Sequence, residues 1–124
     1  MRIMDVMSEV SMYSPNTLDE SLKYKWLSTA ERHVREILNS YEQEKPYEER
    51  NFSPETDADE VLAAPDGYTD LYRYYMLAQV NLLYGDTAKY NVFAQLYANA
   101  LNDFRLWCVR TFRSKKENTT LGVI

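Results

Sequence analysis

The chain has 124 residues, 45% of them apolar and 27% charged, with a formal net charge of −5. That length holds one domain with a real core but not two, and the negative balance argues against wrapping nucleic acid, which needs phosphate-neutralising Lys and Arg. Three glycines are too few for the turns of an all-β architecture, and a single cysteine, Cys108, excludes an intrachain disulfide and a cysteine-based zinc cage.

No apolar run approaches the roughly 18 residues of a membrane span. The first ten residues, MRIMDVMSEV, are interrupted by Asp5, Ser8 and Glu9, which is not the pattern of a signal peptide. The expected compartment is a reducing cytoplasm, with no membrane partner.

Ile3, Val6, Met7 and Val10 follow the i, i+3, i+4, i+7 spacing of one helical face and predict a short first helix. Pro15 ends it, because the residue before a proline avoids the α conformation. Thr17-Leu18-Asp19-Glu20 has the form of a capping box for a second helix over about 18–41. On that helix Leu22, Trp26, Ala30, Val34, Ile37, Leu38 and Tyr41 form one apolar stripe, with Lys23, Lys25, Glu31, Arg32, Arg35 and Glu36 on the opposite, solvated face.

Residues 42–60 differ in kind. Eight carboxylates stand there against Lys45 and Arg50, a local charge of −6, and Pro46 and Pro54 break any helix. The expectation is a long, solvated acidic loop, followed by the short apolar run Val61-Leu62-Ala63-Ala64 and a turn at Pro65-Asp66-Gly67.

The densest stretch is 68–112, with seven of the 11 tyrosines together with Phe93, Phe104, Trp107 and Phe112. A third helix runs to Tyr84, Gly85 takes a left-handed terminal position, and Asp86 or Thr87 caps a fourth helix. A connection of about three residues makes the two antiparallel neighbours. The third helix is apolar nearly all round, so it is either the central helix or one covered by a partner. The fourth carries a main stripe through Tyr90, Phe93, Tyr97, Ala100, Leu101, Phe104 and Trp107 or Cys108, with Val92, Leu96, Leu106 and Val109 on a second, narrower face. The fold class expected is all-α: a small helical bundle of about four helices with a C-terminal helical hairpin and a long acidic loop. Residues 1–112 make a single helical domain. Residues 113–124 form a tail, basic at Arg113, Lys115 and Lys116 and apolar from Leu121 to Ile124, either frayed or docked on a neighbour. Its β-branched end suits addition to a sheet edge.

Little in the chain points to chemistry. His33, the only histidine, gives H-x-x-E with Glu36, whereas a di-iron bundle needs two E-x-x-H units; it reads as part of a solvated helical face. Cys108 falls on the core stripe and reads as a buried thiol. Phosphate-loop, dinucleotide and EF-hand patterns are absent, and the acidic run lacks a ligand spacing. The expectation is a protein that is not an enzyme, without catalytic residues, cofactor or metal.

The run Tyr72-Arg73-Tyr74-Tyr75-Met76-Leu77-Ala78-Gln79-Val80, then Tyr84-Gly85-Asp86 and Lys89-Tyr90-Asn91, resembles a small protein of tailed phages and prophages of low-GC Gram-positive hosts. The similarity continues through Phe93, Tyr97, Ala100, Phe104, Trp107 and Arg110-Thr111, and upstream through Pro15-Asn16 and Lys25-Trp26-Leu27. It covers most of residues 3–112. The loop and tail match loosely, and Cys108 stands where an aromatic is expected. These proteins are head–tail connector (adaptor) subunits that stack as a ring below the portal. The resemblance implies a virion-neck location after assembly in the host cytoplasm and a ring, often of twelve copies. Its partners would be the portal protein and a tail-completion or stopper protein, with DNA only as passing cargo. The alternative from the residues is a soluble helical adaptor or regulator that binds one protein.

Two sets of residues are the expected contacts. Tyr72, Tyr74, Met76, Leu83, Val92 and Leu96, apolar positions left over from the core stripes, are candidates for the subunit interface. Lys115, Lys116, Leu121, Val123 and Ile124 are candidates for docking on portal or tail.

Overall fold

The computed structural model describes residues 1–41 and 50–123, with side chains described through residue 112. Four helices follow one another: α1 (Ile3–Tyr13), α2 (Glu20–Tyr41), α3 (Asp70–Leu83) and α4 (Thr87–Val123). Among the described residues the only β pairing is an isolated antiparallel bridge between Arg2 and Val61. The chain is an all-α bundle.

α1 buries Ile3, Val6, Met7 and Val10, the face its spacing predicts. The orphan N–H groups of a helix start need acceptors, and here another segment supplies them. Ile3 N–H donates to the Glu60 carbonyl and Met4 N–H to the Ala58 carbonyl, each at 3.0 Å, while Leu62 N–H returns a bond to the Met1 carbonyl at 2.9 Å. Residues 58–62 therefore act as the cap of α1.

That segment is ordered by its own carboxylates. Asp57 accepts from Ser53 N–H at 2.7 Å, and Arg50 is paired with Asp57 at 3.3 Å and Glu60 at 2.8 Å. Phe52 is buried, and its N–H donates to Ser28 Oγ at 2.7 Å. Leu62 and Ala64 are buried beside it. Tyr68 N–H closes a turn onto the Pro65 carbonyl at 3.0 Å, and Gly67 at φ +96° supplies the left-handed third position of a type II turn. The second half of the expected acidic loop is thus folded onto the body. Residues 42–49 lie outside the described residues.

α2 departs from the sequence reading twice. Asp19 caps it, accepting from Ser21 N–H at 2.9 Å, so Thr17 is not the capping residue. Its buried side holds Tyr24, Leu27, Ala30, Val34 and Ile37 together with Lys23, Ser28 and Glu31. The cause is tertiary: residues 52–64 cover the flank that the pattern assigns to solvent. Lys23 reaches along the helix to Glu20 at 2.6 Å.

α3 is the central helix and packs on α1, α2 and α4. Of the two alternatives open from its pattern, burial within the chain accounts for most of its apolar surface. It ends in a Schellman motif: Asp86 N–H donates to the Asn81 carbonyl at 2.9 Å and Gly85 N–H to the Leu82 carbonyl at 3.1 Å. Gly85 has φ +77°, and Asp86 caps α4 by accepting from Lys89 N–H at 3.1 Å. The hairpin stands as expected, with Phe104 and Cys108 fully buried on its inner side.

α4 does not stop near Phe112. It continues as helix to Val123, about 55 Å in all for its 37 residues. The change to basic composition marks no boundary, because Arg, Lys and Glu are good helix formers and no proline intervenes. Residues 113–123 are helical rather than an added strand.

Candidate interaction surface

Three features could carry function: a buried polar node, a groove between α2 and α4, and a patch of uncovered apolar side chains.

The node is Glu31, 1% exposed. Its carboxylate accepts from the Tyr72 hydroxyl at 2.7 Å and from Ala63 N–H at 2.9 Å, and Arg35 Nε approaches to 3.6 Å. The Tyr72 hydroxyl in turn accepts from Ala64 N–H at 3.0 Å. One carboxylate thereby ties α2 to α3 and to the 50–64 segment. Burial pushes its pKa up, against the opposing pull of Tyr72, Ala63 and Arg35, and burial beside Glu31 pushes the Tyr72 phenol up as well. This arrangement is structural: the Glu31 carboxylate and the Tyr72 hydroxyl join α2, α3 and the 50–64 segment.

His33 is not on a solvated face. Its Nδ1 lies 2.7 Å from the Tyr97 hydroxyl, a hydrogen bond between α2 and α4. Tyr75 of α3 meets the imidazole edge-on at a centroid distance of 6.0 Å and Tyr97 at 5.1 Å. Burial lowers the His33 pKa, with Arg32 adding to the effect and Glu36 opposing it. Just beyond this cluster, α2 and α4 flank an open groove of about 460 Å³ whose lining includes His33, Ile37, Tyr41, Tyr97, Leu101 and Arg105. The stacked rings of Tyr41 and Phe112, at 6.4 Å, lie toward its other end.

The third feature is apolar exposure on the hairpin. Leu82, Leu83 and Tyr84 at the end of α3, and Val92 near the start of α4, are each more than half exposed. Leu96 and Leu106 continue along α4 at 36% and 48%. Val92, Leu96, Asn99, Asp103 and Leu106 follow a 4-3-4-3 spacing, one seam on the outer side of that helix. A separate apolar patch sits on α1, where Met12 and Tyr13 are exposed. Arg73, one turn into α3, covers the Tyr13 ring at 4.8 Å, so this patch lies at the opposite end of α3 from Leu83.

The candidate interface residues divide accordingly. Leu83, Val92 and Leu96 are exposed, and Tyr74 is half-buried under Arg73 at 5.2 Å. Tyr72 and Met76 are corrected: both are fully buried, because α1 and α2 close over the flanks of α3, and neither can meet a partner. Leu82 and Tyr84 were missed. Leu82 falls in line with Leu71, Tyr75 and Ala78, but that line is buried only at its start and middle. Lys115, Lys116, Leu121 and Val123 lie on the last turns of α4, their side chains outside the described residues, as is Ile124 altogether.

Among the described residues no group of three His, Cys, Asp or Glu side chains could hold a metal, and no helix is long and apolar enough to cross a membrane. Cys108 is buried, its thiol pushed up to about 11 by desolvation. No family model, curated protein or solved structure matches the chain.

Proposed function

We propose that this chain is a structural protein of a phage virion neck, a ring-forming head–tail connector placed between portal and tail, and that it performs no catalysis. The observation that carries the reading is the cluster of large apolar side chains left uncovered on a rigid hairpin. Single exposed leucines are ordinary, whereas Leu82, Leu83, Tyr84 and Val92 are exposed together near one hairpin turn, a concentration that favours a protein contact. A ring needs a heterologous contact, in which one surface meets a different surface on the next copy. The hairpin end and the Met12–Tyr13 patch supply two such surfaces at opposite ends of α3.

The resemblance of residues 72–111 to connector subunits supports the same reading. So does the charge: at −5 the chain lacks the cationic excess that would hold DNA in a tunnel. Light scattering on the purified chain, alone and with a portal protein, tests the proposal. Oligomers or a portal complex are expected, and a strict monomer with no affinity for portal or tail-completion proteins would leave the single-partner adaptor in its place.

A further inference from the structure

The outer side of α4 lacks the charge that the solvated face of a helix usually carries. From Tyr90 to Asn102 no residue is charged, although seven of those thirteen positions are exposed and 27% of the chain is charged. Its amides are satisfied along the helix, with Gln95 donating to Asn99 at 3.0 Å. Val92, Leu96 and Leu106 stand exposed on the same seam. Apolar side chains among uncharged ones, with charge excluded, are the composition of the centre of a protein contact.

Charge returns at the two ends of the stretch, with opposite sign. Lys89 precedes it and Asp103 follows it, two heptads apart, so they stand on nearly the same side of the helix, about 21 Å from each other along its axis. Leu96 is the midpoint between them. Asp103 is exposed and enters no ion pair among the described residues. Lys89 is exposed as well and comes only within 4.0 Å of Asp86, whose other carboxylate oxygen caps the helix.

We infer that this seam is the docking site for a second copy of the chain, whose α4 lies antiparallel across a two-fold axis at Leu96. The axis sets Lys89 of each copy against Asp103 of the other, at both ends, and brings the two Leu96 side chains together with Val92 alongside. A parallel pair sets Lys89 against Lys89 and Asp103 against Asp103, a juxtaposition of like charges that disfavours it. The same patch serves on both copies, so the contact is isologous, distinct from the heterologous contact that a ring needs. It does not rest on the ring reading.

Sedimentation equilibrium of the full chain carrying Met12→Ser/Tyr13→Ser isolates this contact, because those substitutions remove the second surface of a ring. The mass should rise with concentration to that of a dimer and stop there. Lys89→Glu and Asp103→Lys, added singly, each make both ends of the pair repulsive and should weaken the dimer by about tenfold, whereas the two together should restore it to within about twofold. Lys25→Glu, an exposed cation on α2, should change nothing. A monomer at every concentration, single variants as tight as the starting chain, or a double variant no tighter than the singles would overturn the inference. The ring reading fails separately, when the native chain gives this dimer and nothing larger, with portal or without.

Discussion

Replacing Glu31 offers the sharpest check on how the chain is held together. Truncation to Ala strands two donors in the interior, the Tyr72 hydroxyl and Ala63 N–H, which the carboxylate accepts at 2.7 and 2.9 Å. Each stranded donor costs about 1–3 kcal/mol, so Glu31→Ala should lose about 2–6 kcal/mol in urea unfolding. Glu31→Gln keeps one acceptor oxygen and sheds the buried charge, so it should cost less. The pH dependence of that second variant is more telling. Burial raises the pKa of Glu31 in the fold above its ordinary value of 4.5. A carboxyl raised on folding contributes most below its unfolded pKa, and the contribution falls as pH rises through the folded value. The gap between wild type and Glu31→Gln should therefore be widest in acid and narrow from about pH 4.5 upward. A gap that is constant across that range, or that widens with pH, would refute the assignment of a desolvated carboxylate at this position.

Other substitutions test separate parts of the account. Phe104→Ala, at a side chain with no exposure, should cost about 3–5 kcal/mol; unchanged melting would remove it from the core. Gly85→Ala meets no atom within 4 Å of the added carbon, so its cost should be backbone strain alone, about 1–2 kcal/mol, and Gly85→Asn should lose less. Cys108 should react with a thiol reagent only as fast as the protein unfolds, because it is buried and its thiol sits near 11; rapid labelling in native buffer would contradict that. Val92→Glu and Leu96→Glu together should leave the subunit's stability nearly intact, since both side chains face water, yet abolish any self-association.

The helices and the hairpin were legible because their determinants are local. The apolar spacing of α1, the Gly85 break and the Asp86 cap lie within a few residues of what they control. The errors come from nonlocal covering. Glu31 reads as solvated because the segment that buries it begins some 20 residues later, at Phe52. A hint stood in the pattern: Tyr24, Leu27, Glu31 and Val34 share a flank of α2, and Tyr24 and Leu27 are too apolar for a solvent face. His33 reads as solvated for the same reason, its partners Tyr75 and Tyr97 being distant in sequence. Leu83 and Val92 stay exposed near the hairpin turn, beyond most of the covering helices, while Tyr72 and Met76 do not. At the C-terminus the change of composition suggests a change of structure, yet Arg113, Lys115, Lys116 and Glu117 all favour helix and α4 continues through them.

The claim that this chain builds a ring is tested most directly by electron microscopy of the purified full chain and of the Val92→Glu/Leu96→Glu variant. The account predicts closed rings of uniform diameter with a central opening for the native chain, and folded single subunits for the variant. Folded single subunits for the native chain at every concentration, with portal present as well as absent, would contradict it.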